Sequence, residues 1–166
     1  VPLSEITPYI ETGLIVCEDS RFFKHNGFDN KAIRDSILSN LRAGHFVRGA
    51  STLSMQLAKN LYLGREKTMS RKLQEAAFTL LLEERLSKED ILELYLNVVE
   101  FGPGIYGIRS AAQHYFNSHP GELSLAQAMY LASILPNPKA KHFAPDGTLK
   151  PRWAKHLGYL MRVAHK

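Results

Sequence analysis

The run Ser70-Arg71-Lys72-Leu73-Gln74-Glu75-Ala76-Ala77-Phe78-Thr79-Leu80-Leu81-Leu82-Glu83-Glu84-Arg85-Leu86 carries the fold class. Its spacing predicts one helix over 70–86. Each residue turns a helix by about 100°, so Arg71, Glu75, Phe78 and Leu82 share one stripe. Leu73, Ala77, Leu80 and Leu81 cover other directions. A helix apolar on nearly all sides is expected to be buried. Glu75 then sits in a partly dry setting one turn from Arg71. The pair reads equally well as a structural ion pair or as a site carboxylate held by an arginine.

Helical periods continue on both sides of this run. Thr7 and Pro8 form an N-cap and first-turn proline, with Ile10 and Leu14 in a helix running to about Cys17. Asp29 caps a second helix through Ile33, Ile37 and Leu41, which Gly44 ends. A third starts near Ser51, with Leu53, Leu57 and Leu61 on one face and Leu57 and Leu61 toward the core. Ser87 and Asp90 make a capping box for a helix through Ile91, Leu94, Tyr95 and Val98. Gly102, Pro103, Gly104 and Gly107 break the chain. Helices follow near 108–116 and 125–135. Pro136 and Pro138 stop the second of these, and Pro151 opens a last helix carrying Trp153, Leu157 and Leu160. No segment alternates strongly enough to demand a strand. The expected class is mainly α, and 166 residues suit a single domain.

Composition narrows the functional classes. Lys and Arg number 21 against 16 acids, giving a net charge of +5. That excess suits a phosphate-bearing partner or an anionic membrane surface. One cysteine, Cys17, excludes an internal disulfide framework and a multi-cysteine zinc site. No run approaches the roughly 18 apolar residues of a membrane span. Residues 123–138 form the longest uncharged stretch, and Ser124, Gln127 and Ser133 within it favour a buried core helix. No signal peptide is present, and Val1 is not a natural start. The chain therefore reads as an excised piece whose anchor lies upstream.

Three places carry candidate chemistry. On the third helix, Thr52, Gln56 and Lys59 share a polar stripe, which taken alone reads best as a solvated face. Glu18 follows the apolar run Leu14-Ile15-Val16-Cys17 and precedes Asp19-Ser20-Arg21-Phe22-Phe23-Lys24-His25. A charged pair leaving a buried helix suits a cleft edge. Lys59, Arg65, Lys67, Arg71 and Lys72 form a basic cluster with Glu66 as its only acid. Such cations can clamp a leaving phosphate, or simply form a solvated basic face.

Five segments, in order, resemble the peptidoglycan glycosyltransferases, glycosyltransferase family 51. They are Glu18-Asp19-Ser20-Arg21-Phe22-Phe23-Lys24-His25-Asn26-Gly27-Phe28-Asp29; Gly49-Ala50-Ser51-Thr52-Leu53-Ser54-Met55-Gln56-Leu57-Ala58-Lys59-Asn60; Arg71-Lys72-Leu73-Gln74-Glu75; Ile91-Leu92-Glu93-Leu94-Tyr95-Leu96-Asn97 with Phe101-Gly102 and Gly107; and Ala132-Ser133-Ile134-Leu135-Pro136-Asn137-Pro138. Together they are highly specific. Asn97-Val98-Val99-Glu100-Phe101-Gly102 is most similar to the monofunctional members.

The resemblance implies a lysozyme-like helical domain over 1–166, with two lobes around a long substrate cleft. It implies that residues 30–48 form a mobile, membrane-facing lobe contacting lipid through Ile33, Ile37, Leu38, Leu41 and Phe46, although most of these also read as core. The implied reaction polymerises lipid II into β-1,4 glycan, with inversion at MurNAc C1 and release of undecaprenyl pyrophosphate. The partners are lipid II, the growing lipid-linked chain, an anionic membrane surface and other cell-wall synthesis proteins, with no nucleic acid. The location is the extracytoplasmic face of the cytoplasmic membrane.

Carried over residue by residue, Glu18 matches the general base. Glu75 matches the second site glutamate, supporting the pyrophosphate region. Lys59, Lys67 and Arg71 match basic positions there, and Phe22, Ser51, Thr52, Gln56 and Asn60 match donor-binding positions. Tyr95 and Asn97 match a buttressing segment. No cofactor is required by the resemblance; a divalent cation, Mg or Mn, is a candidate near Glu75. The chain departs from the pattern at Ser54, Met55 and Arg109, which puts donor affinity in question more than the chemistry. The competing readings are a lysozyme-like hydrolase, a catalytically silent glycan-binding scaffold and a helical nucleic-acid module. Hydrolysis needs an acid for a sugar leaving group rather than cations for a diphosphate. Nothing reads as a helix-turn-helix or an aromatic stacking platform.

Overall fold

The computed structural model describes residues 1–64 and 68–164. The described residues hold eight α-helices and one short hairpin, so the chain is mainly α as expected. They divide into two compact units. The first comprises residues 1–20 and 92 onward, the second residues 21–91.

In the second unit, local signals set the helix ends. The first helix there, Asn30–Ala43, starts where Asp29 accepts a hydrogen bond from the Ala32 amide at 3.0 Å. It stops at Gly44, whose φ of +68° is the left-handed turn that glycine adopts without strain. Thr52 caps Leu53–Tyr62, and Thr68 caps Met69–Arg85, each hydroxyl accepting an amide three residues on. These last two helices pack on each other.

Only one stripe of Met69–Arg85 is buried: Glu75, Thr79 and Leu82. Leu73 is 70% exposed, and Leu80 and Leu81 also lie at the surface. The expectation of burial on nearly all sides fails here. A unit of about 70 residues has too little interior to surround a helix. Leu61 likewise faces outward rather than to the core, while Tyr62 stacks on Phe78 at 4.5 Å. Asn30–Ala43 buries only Ser36, whose hydroxyl donates to the Arg48 carbonyl at 2.7 Å. Ile37, Leu38, Leu41 and Phe46 are exposed, Phe46 by 76%, so they are not core.

In the first unit the core is built on helix Leu125–Ile134, buried at every position from Ala128 to Ile134. Ser124 and Gln127 form its capping box. The uncharged stretch is thus the core helix that its composition predicts. Helix Pro8–Glu18 packs on it at Gly13, where an added Cβ would lie 2.8 Å from Ala132 Cβ. Helix Pro151–Ala164 packs against both through Trp153 and Leu160. Thr7 holds the N-cap position of Pro8–Glu18, yet its side chain makes no capping bond.

Helix Lys88–Val98 begins at the reciprocal Ser87–Asp90 box. It leads into an antiparallel pair, Glu100–Gly102 with Ile105–Tyr106. Strands of three and two residues are too short to show alternation, which is why none was expected. Helix Ile108–Phe116 follows.

Beside the core helix lies an aromatic cluster with a titratable member. His142 meets the Trp153 ring edge-on at 4.5 Å, and its Nε2 is 3.1 Å from the Asn137 carbonyl. Burial holds its pKa below the usual 6.5, although the Asn137 hydrogen bond opposes this. The unfolded chain therefore binds a proton first on acidification. The stabilisation is complete above the unfolded value and is lost as pH falls through it. Tm is expected to drop as pH falls below about 6.5, and His142→Gln to flatten that slope. Parallel melting profiles for the two proteins would refute this assignment.

Candidate active site

Glu18 is the last residue of Pro8–Glu18, half-buried, at the helix end whose dipole opposes negative charge. It belongs to the first unit, and so do the groups that register its charge. Burial pushes the Cys17 thiol up to about 12, and the adjacent Glu18 carboxylate adds to the shift. Tyr95 is fully buried; burial first, then Glu18 and Cys17, holds its hydroxyl well above the usual range. Both groups are therefore neutral at ordinary pH. Cys17 Sγ also lies 3.7 Å from His156 Nε2. Asn97 donates to the Val1 and Glu93 carbonyls, as a buttress does.

The remaining candidates lie in the second unit, where Arg71, Lys72 and Glu75 come into direct contact. Arg71 Nη1 donates to Glu75 Oε2 at 2.9 Å, and Lys72 Nζ donates to Oε1. Glu75 is only 3% exposed. Its two oxygens thus hold two cations one helical turn away. Arg71 Nε is buried without a hydrogen-bond partner among the described residues. Lys72 belongs to the basic cluster but matches no site position of the resemblance, although its spacing to Glu75 marks it as a neighbour.

Lys59 and Asn60 are exposed on the last turn of Leu53–Tyr62, with Gln56 half-buried behind them; Ser51 is exposed just before that helix. Lys67 lies outside the described residues, as do Arg65 and Glu66.

Two of the expected donor-binding residues are buried. Phe22 has no exposed surface, and Lys88 Nζ sits 4.5 Å above its ring. Thr52 is 2% exposed, and its hydroxyl donates to the Gly27 carbonyl at 2.6 Å while capping the helix. Both side chains are engaged within the protein and hold the motif in shape. The solvated-face reading of the Thr52 stripe fails at Thr52 itself. Met55 is also buried, so it stands in the core rather than in a ligand-facing row. Lys88, which lies against the Phe22 ring, and Ser54 both donate to Glu83. This network joins residues far apart in sequence, and no local signal announces it.

The donor set does not fit a protein-built site for Mg or Mn. Both Glu75 oxygens are already engaged by cations, and no three His, Cys, Asp or Glu residues converge among the described residues. No helix described is long and apolar enough to cross a membrane.

The sequence model of the transglycosylase family matches residues 1–160, and the chain belongs to that family. Among its relatives, the biosynthetic peptidoglycan transglycosylase of Nitrosomonas eutropha is 49% identical over 139 residues, covering 84% of this chain and 57% of the relative. That of Alcanivorax borkumensis is 48% identical over 162 residues, covering 96% and 66%. The Aeromonas hydrophila protein of the same description is 49% identical over 167 residues, covering 98% and 71%. The chain thus spans 57–71% of the length of these relatives.

Proposed function

We propose that this chain is a peptidoglycan glycosyltransferase that polymerises lipid II at the extracytoplasmic face of the membrane. The observation that carries the reading is the fixed cationic pair, Arg71 and Lys72, held by buried Glu75. Glu18 takes the proton from the GlcNAc 4-hydroxyl of the acceptor. That oxygen attacks MurNAc C1 of the growing lipid-linked chain from the face opposite the leaving group. The bond from C1 to the pyrophosphate oxygen breaks, and its electron pair leaves with undecaprenyl pyrophosphate. Arg71 and Lys72, with Lys59 on the neighbouring helix, stabilise the charge that develops there. Glu75 acts by positioning those cations. A hydrolase, whose leaving group is a sugar, has no use for such a clamp.

The outward apolar residues Ile37, Leu38, Leu41 and Phe46 support placing residues 30–48 against lipid. A bilayer at this surface fits a lipid-linked substrate.

The test is incubation with labelled lipid II in detergent, followed by product sizing. Glycan polymer is expected. Short fragments cut from preformed glycan, with no polymer from lipid II, would overturn the reading in favour of a hydrolase. Lys59→Ala is expected to weaken donor use about tenfold or more, since it removes one cation from the clamp, with an unchanged melting profile. An unchanged rate removes Lys59 from the clamp.

A further inference from the structure

The outer face of helix Pro151–Ala164 has no part in the chemistry above. Residues 139–164 carry six cations, Lys139, Lys141, Lys150, Arg152, Lys155 and Arg162, against one acid, Asp146. The helix itself contains no acid. Trp153 and Leu160 fix its inner face. At about 100° per residue, Arg152, Lys155, Tyr159 and Arg162 form a row on the opposite side. All four are exposed. The row spans ten residues, about 15 Å at the usual helical rise.

Its three cations make no ion pair among the described residues, whereas Lys139 is paired with Glu100 at 3.3 Å. The only nearby acid in sequence, Asp146, is engaged by the Thr148 amide and hydroxyl. Arg152 instead lies 5.8 Å from the centre of the Trp153 ring.

We propose that this row is an electrostatic docking face for an anionic phospholipid surface. A single file of cations on a convex helix cannot enclose a small anion, but an extended anionic plane meets all three at once. Each basic residue near such a plane adds about fivefold to affinity. Tyr159, in the middle of the row, has the amphipathic ring that suits a lipid–water boundary. The row has no other large apolar side chain, so the contact is ionic, shallow and weakened by salt. The inference rests on the glycosyltransferase reading only in choosing lipid over another polyanion.

The experiment compares the full chain with R152Q/K155Q/R162Q in vesicle sedimentation. One set of vesicles contains phosphatidylglycerol in phosphatidylcholine, and the other phosphatidylcholine alone. The triple variant should lose about tenfold or more in affinity for the anionic vesicles. Its binding to neutral vesicles, its melting profile and its polymerisation in detergent should match the parent. A parent that fails to polymerise would count against the proposed activity alone, because the vesicle arms do not depend on it. A second measurement places an environment-sensitive dye at position 159, using Tyr159→Cys in a Cys17→Ala background. Its emission should shift to the blue on anionic vesicles. Anionic-vesicle binding within twofold of the parent, or an unshifted dye on sedimented protein, overturns the proposal.

Discussion

Glu18→Gln should abolish lipid II polymerisation while leaving the protein folded. The amide keeps the volume and most of the polarity of the carboxylate but cannot accept the acceptor's proton. General-base catalysis is worth about 10²–10⁴ in rate, so the loss should fall in that range or beyond. Stability should change little, because Glu18 is only half-buried at the end of its helix. Removing its charge also takes away a repulsion that opposes ionisation of Cys17 and Tyr95, although burial remains the larger cause. Both groups should stay neutral in the variant. The measurement is product sizing on labelled substrate beside a thermal melt. A Gln variant that polymerises within threefold of the parent would remove Glu18 from the role of base.

Arg71→Ala should damage both stability and turnover. Glu75 is buried and held by two cations, of which Lys72 is the more exposed, with a side chain 45% accessible against 18% for Arg71. Breaking a buried pair by removing one partner costs about 3–5 kcal/mol, because a charge is left under-compensated. Lys72 remains, so the loss should sit near the lower end of that range. Arg71→Ala combined with Glu75→Ala should recover part of it by removing the stranded charge, a coupling that a double-mutant cycle reads directly. The double variant should stay impaired in turnover, because one cation of the clamp is gone and Lys72 has lost the carboxylate that held it. Denaturant unfolding gives the stability, and donor KM with kcat gives the function. If Arg71→Ala is as stable as the parent, the ion cluster carries no stability; if it also keeps donor KM and kcat, it carries no function.

Much of this architecture could be read from short-range patterns. Asp29 with Gly44, Ser87 with Asp90, and Pro136 each announce a helix boundary within a few residues, and the structure places helix ends there. The contact of Glu75 with Arg71 was legible for the same reason, since a spacing of four fixes a shared face. Long-range facts were not legible. Whether Leu61, Leu73 or Leu80 meets solvent depends on how much unit surrounds its helix. Phe22 and Thr52 sit in the motif segments but are buried, and only packing distinguishes a residue that shapes a site from one that touches a ligand. The hairpin at Glu100–Gly102 depends on a turn between strands too short to leave a pattern.

Gly13 gives helix Pro8–Glu18 an unusual kind of constraint. Because Ala132 would meet any added Cβ at 2.8 Å, the spacing between the two helices is set by a hydrogen atom. The flexible Met129 side chain, 3.1 Å away at its sulfur, could yield; the Ala132 methyl has no rotamer to change. Even a single methyl at position 13 would have to be absorbed by sliding or tilting Pro8–Glu18 as a rigid rod, carrying the carboxylate at its far end along. Position 13 is therefore where the helix has no freedom to drift. A designer seeking to move Glu18 by fractions of an ångström, without touching the site itself, would start there.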